Sequence, residues 1–174
     1  GTTSTKVLAV AATGDVLAQH QVYYPTFYPQ PGFAEQDANE ILAAVVSGLK
    51  AIESQIDLSK AVALAFSSAM HSVVAVNEKC ETLTPLIIWA DTRSSAQAKE
   101  LRQTVVGGEL HQQDGTPIHP MSPLCKLMWL RVNEPELHSR TYKFISIKEF
   151  IWYHLTGEFS VDYSIASATG LFDI

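Results

Sequence analysis

Gly1-Thr2-Thr3-Ser4-Thr5-Lys6-Val7-Leu8-Ala9-Val10 couples a hydroxyl-rich bend to an apolar run with the character of a β-strand. A glycine lets the backbone turn sharply and approach an anion. Thr2, Thr3 and Ser4 then offer hydroxyls and N–H groups to phosphoryl oxygens, and Lys6 adds charge. The competing reading of these residues is a plain turn between two strands. The pattern that follows them bears on the choice.

Residues 6–11 and 16–23 read as a hairpin closed by Ala12-Thr13-Gly14-Asp15. Pro25, Pro29, Pro31 and Gly32 make residues 24–36 a loop, with Tyr24, Phe27, Tyr28 and Phe33 to pin it down. Asp37 with Glu40 predicts a capping box, and Ile41, Leu42, Val45, Val46, Leu49 and Ile52 recur at helical spacing behind it. Further strands are expected over 61–67, 73–76, 86–89 and 142–145. Helices are expected from Ser94 to about Val106, ended by Gly107-Gly108; from Pro123, capped by Ser122; and from Ser146 with Glu149 to Gly157. This alternation predicts an α/β domain with a mixed sheet flanked by helices. Ligands of such sheets sit beyond the carboxyl ends of strands, where residues 67–72 and 90–93 fall.

The 174 residues are the size of one domain, with enough apolar content for a real core. A net charge of −6 argues against nucleic acid as a partner, because phosphate backbones demand clustered Lys and Arg. Cys80 and Cys125 form no CxxC pair or disulfide framework, which fits a reducing, cytoplasmic interior. No apolar run is long enough to span a bilayer, so no membrane association is expected. The chain opens inside a turn motif and breaks off in mid-pattern at Ile174. We therefore expect a strand before Gly1 and further sequence after residue 174.

Two segments carry side chains suited to a polyhydroxylated ligand. Ser67-Ser68-Ala69-Met70-His71-Ser72 places His71 at a strand end, where it serves either as a hydrogen-bonding group or as a satisfied core histidine. No partner stands at metal-ligand spacing from it, which argues against zinc. In Trp89-Ala90-Asp91-Thr92-Arg93 the indole can cover the C–H face of a sugar chain and the carboxylate can accept from neighbouring hydroxyls. The alternatives are a core tryptophan and a helix-capping aspartate.

Together these elements resemble the FGGY family of carbohydrate kinases, within the ribonuclease-H-like and actin-like ATPase fold, over essentially the whole chain. Gly1-Thr2-Thr3-Ser4-Thr5-Lys6 resembles its first phosphate loop, Met70-His71 its sugar contact, and Trp89-Ala90-Asp91-Thr92-Arg93 its Trp-x-Asp-x-Arg element. Lys126-Leu127-Met128-Trp129-Leu130 is similar to its Lys-Leu-x-Trp signature, and Asp162-Tyr163-Ser164-Ile165-Ala166-Ser167 to its Asp-x-Ser-x-Ala-Ser segment. Within the family, Pro29-Gln30-Pro31-Gly32-Phe33-Ala34-Glu35-Gln36-Asp37, the Met70-His71 segment and Gly115-Thr116-Pro117-Ile118-His119-Pro120 look most like gluconate kinases, with xylulose kinases as the near competitor.

The resemblance implies that residues 1–174 are an N-terminal sugar-binding domain, incomplete at both ends, with the C-terminal nucleotide-binding domain outside it. It implies ATP and Mg²⁺ as cofactors and phosphorylation of a terminal hydroxyl on an open-chain sugar or sugar acid, D-gluconate first. Thr2, Thr3 and Ser4 would bind phosphate; Met70, His71, Trp89 and Asp91 would line the sugar site. Lys126 would brace the cleft, and Arg93 is open as the cation facing a substrate carboxylate. The family's metal-associated aspartate lies before the Gly-Thr-Thr turn and its general base beyond residue 174, so neither a catalytic base nor a metal ligand is assigned here. A homodimer is the candidate assembly. A non-catalytic sugar-binding module is the alternative of a different class, and a nuclease-like relative would need clustered acidic ligands that the first strands lack.

Overall fold

The computed structural model describes residues 1–173. β1 (Ser4–Val10) and β2 (Val16–Tyr23) form the expected antiparallel hairpin, with Gly14 at φ 94° in the turn. α1 (Ala38–Glu53) lies across it. Its buried stripe of Ala38, Ile41, Ala44, Val45, Gly48 and Ile52 follows the period of 3.6 that the sequence displays. Gly48 is required there, because a Cβ would meet Val7 Cγ2 at 2.5 Å. Asp37 caps the helix by accepting from the N–H groups of Asn39 and Glu40, and the reciprocal bond from Glu40 is not formed.

β3 (Glu35–Gln36) pairs with β5 (Leu86–Ile87), and β4 (Val74–Val76) with β6 (Lys143–Ile145), each antiparallel. A bridge between Val73 and Ile87 joins the two ladders. β4 is buried completely, and its neighbours Leu86, Ile145 and Phe150 form the core with the apolar face of α1. α2 (Ser95–Arg102), α3 (Val105–Asp114), α4 (Pro123–Asn133), α5 (Pro135–Arg140), α6 (Ile147–Thr156) and α7 (Tyr163–Ala166) complete the chain. The capping box predicted for α6 is present in both directions between Ser146 and Glu149, and Gly157 closes the helix at φ 80°. No helix among the described residues is long and apolar enough to cross a membrane.

Three expectations are corrected. The helix predicted to end at Gly107-Gly108 is two helices, and both glycines lie inside α3, where a Cβ on Gly107 would fall 2.0 Å from the Leu101 carbonyl oxygen. Gly107 is there for close approach, not termination. Residues 61–67 join no ladder among the described residues, and residues 64–67 face β1 across a cleft. The described strands pair as three antiparallel couples, two of them joined by the Val73–Ile87 bridge, within the expected α/β fold. Ser122 precedes α4, with Pro123 in its first turn, but its hydroxyl makes no capping bond.

Candidate functional site

The hydroxyl-rich bend is the lead into β1. Tyr24 donates its hydroxyl to the Gly1 carbonyl at 2.9 Å, and Gln36 donates Nε2 to the Thr2 carbonyl at 2.6 Å and to Thr26 Oγ1 at 2.9 Å. Gln36 is itself buried in β3, so the bend is fastened from below. Thr2 and Thr3 are exposed. Ser4 already belongs to the strand, and its Oγ accepts from Gln21 Nε2 at 2.8 Å across the hairpin.

Thr2, Met70 and Trp89 line one cleft with Gln36 and Lys148, and its remaining walls are largely apolar, Val7, Leu64, Phe66 and Ile151 among them. Met70 and Trp89 are 38% and 47% exposed, so neither side chain is packed wholly into the core. Lys148 is held by Asp162 at 2.6 Å.

His71 lines an adjoining hollow with Pro123 and Thr169. Its backbone is left-handed, at φ 63°. The ring Nδ1 lies 3.0 Å from the Ala168 carbonyl oxygen, and a carbonyl only accepts, so Nδ1 carries the proton. Burial, with smaller contributions from nearby Lys126 and His119, pushes the His71 pKa below its ordinary value. The ring is accordingly neutral near pH 7, and Nε2 offers a lone pair suited to a hydroxyl.

Asp91 differs from its sequence expectation. It is fully buried and its oxygens are engaged: Oδ2 accepts from the Ala34 N–H at 2.7 Å and from Arg93 Nη2 at 2.8 Å, while Oδ1 accepts from the Arg93 N–H and Nε at 3.0 Å. A carboxylate so occupied holds its loop and is not free to line the sugar cleft. Arg93 is consumed by the same knot. It pairs with Glu35 as well as Asp91, and its guanidinium lies 3.8 Å from the centre of the Phe33 ring.

Lys126 is also fully buried, donating Nζ to the carbonyls of His71 and, at 2.8 Å, Ile88. Burial pushes its pKa down to about 7 despite the nearby Asp91 charge. Sequence reasoning missed the partners of the Asp91 knot. Gly32, at φ 84°, accepts from the Thr92 N–H at 2.7 Å, and Ala34 and Glu35 follow it. The Pro-Gly-Phe-Ala-Glu-Gln loop and the Trp-x-Asp-x-Arg element are thus one unit. The available signal was Glu35, an acid between buried-type residues, left without an assigned partner. No group of three or more His, Cys, Asp or Glu among the described residues is placed to hold a metal.

Residues 1–174 match the model of the FGGY family of carbohydrate kinases, N-terminal domain. The chain is 41% identical over its whole length to a gluconokinase of Bacillus subtilis (strain 168), covering 34% of that protein. It is 31% identical to a xylulose kinase of Staphylococcus xylosus, covering all of this chain and 36% of that one. The crystal structure of gluconate kinase from Lactobacillus acidophilus superposes with a TM-score of 0.94 at 32% identity, over 99% of this chain and 35% of that chain. The fold is that of the actin-like, ribonuclease-H-like ATPases. The chain spans about a third of the length of these relatives.

Proposed function

The chain belongs to the FGGY family of carbohydrate kinases, and on that premise we propose that the protein carrying it transfers the γ-phosphoryl group of ATP to a terminal hydroxyl of an open-chain sugar acid, D-gluconate. Residues 1–174 are its N-terminal, sugar-binding domain, and the adenosine site lies in sequence outside them. The observation that carries this reading is the shared cleft, in which Thr2 of the bend meets Met70 and Trp89.

Each side chain has a part. Thr2 and Thr3 donate hydroxyls to phosphoryl oxygens, and Ser4, turned into the strand and accepting from Gln21, contributes less. Trp89 covers the apolar face of the sugar chain, Met70 fills against it, and His71 Nε2 accepts from a sugar hydroxyl, fixing the acceptor for in-line transfer. ATP supplies the phosphoryl group and Mg²⁺ neutralises its charge when bound. Exposed Thr2 and Thr3 fit a phosphate. No Mg²⁺ ligands are assigned among the described residues, where no acidic cluster exists. Neither Asp91 nor Asp162 is assigned as general base, because Arg93 and Lys148 hold them. The higher identity to the gluconokinase than to the xylulose kinase favours a sugar acid. A cytoplasmic location and a homodimeric assembly accompany the reading.

The test incubates the full-length protein with MgATP and gluconate, xylulose, glycerol or ribulose and measures ADP. The largest kcat/KM is expected with gluconate; preference for xylulose would move the protein to the neighbouring specificity. Absence of turnover on all four would remove the kinase reading.

A further inference from the structure

Lys126 lies on α4, outside both sugar-facing segments, yet its one amine joins them. The two carbonyls it holds belong to His71 itself and to Ile88, the residue before Trp89. We propose that Lys126 is a positioning residue that locks His71 and Trp89 into one sugar-binding unit by donating to the backbone beneath each of them. This rests on the sugar-site reading above and adds to it a residue that touches no ligand.

Three observations support it. His71 and Cys80 are the two non-glycine residues at positive φ among those described, and a left-handed residue persists where its surroundings hold it. His71 is held at both ends, with its ring on the Ala168 carbonyl and its own carbonyl on Lys126. Second, the Ile88 carbonyl stands just past β5, where it accepts from the Asp91 N–H at 3.1 Å as well as from Lys126, and the next residue exposes the Trp89 indole to the cleft. Third, the ammonium is buried in a place where a methionine of similar length would fill the space without desolvating a charge. What the lysine adds is its N–H donors. The surrounding ionisable groups are Asp91, Arg93 and Cys125, and Asp91 and Arg93 are already satisfied by each other.

The experiment uses the full-length protein. Lys126→Met is expected to raise KM for the sugar at least tenfold while KM for ATP stays within twofold. Combined with His71→Ala, it should raise KM by clearly less than the product of the two single effects, because the residue it positions is gone. A fully multiplicative double variant, or an unchanged sugar KM, overturns the proposal. A second measurement needs no variant to fold: with lysine side chains labelled at Nζ, adding gluconate to the wild type should shift the Lys126 resonance along with those of the His71 and Trp89 rings. Shifts of His71 and Trp89 without Lys126 would overturn the positioning role. Shifts of none of the three would overturn the sugar-site reading on which it stands.

Discussion

The buried knot of Asp91, Arg93 and Glu35 and the open cleft edge of Thr2, Met70 and Trp89 are built from interleaved residues, yet they obey opposite rules. In the knot, every charge has a fixed partner and water is excluded, with Asp91 at 0% exposure. At the cleft edge the side chains are half-exposed and keep their bonding capacity free. Trp89 and Asp91 stand two residues apart on opposite sides of this divide. A shared motif therefore holds an open side chain and one locked into the fold, and only burial separates them.

The sharpest way to break the contrast is Asp91→Ala. It leaves the Arg93 guanidinium buried with part of its pairing gone, and is expected to destabilise the fold by about 3–5 kcal/mol in urea denaturation. A loss below about 1 kcal/mol, with a large rise in sugar KM, would return Asp91 to the ligand.

Lys126 gives a smaller effect of defined sign. Its folded pKa, about 7, lies below the ordinary 10.5, so between these values the unfolded chain binds the extra proton. Stability contributed by this group therefore rises with pH across that window, by about 1.4 kcal/mol per unit, and levels off at its lowest as pH drops below 7, where both states hold the proton. Denaturation of wild type and Lys126→Met between pH 7 and 8.5 should show that slope difference; parallel curves would contradict it. The upper limit avoids Cys80, whose thiol is pushed up to about 11 by burial.

Trp89→Ala should raise sugar KM about tenfold, the equivalent of ~1.4 kcal/mol, and leave the melting transition almost unmoved because the indole is half in solvent. A large drop in Tm would place Trp89 with the knot. Last, Lys148→Ala removes an exposed ion pair with Asp162 and is expected to change stability by under about 1 kcal/mol. A greater loss in urea would show that this edge of the cleft is stiffer than its exposure suggests.

Local signals were legible where a segment answers to its own residues. The hairpin closed through Gly14, the stripe of α1 and the Ser146–Glu149 box all follow from spacing alone. They failed where distant chain decides. Residues 61–67 have strand composition yet pair with no strand among the described residues, and Gly107 looks like a helix stop until the Leu101 carbonyl is seen against it. For the site, residue types identified Met70, His71 and Trp89 as ligand-facing candidates. They misassigned Asp91, since an aspartate reads the same whether its oxygens point to solvent or to an arginine two residues on.

Gln36 unites the two ends of this arrangement. Its amide ties down Thr2, and its backbone pairs with Leu86 in the two-residue ladder that leads toward Trp89. The shortest ladder in the protein thus works as a ruler. It sets the span between Thr2 and Trp89 in whole strand residues.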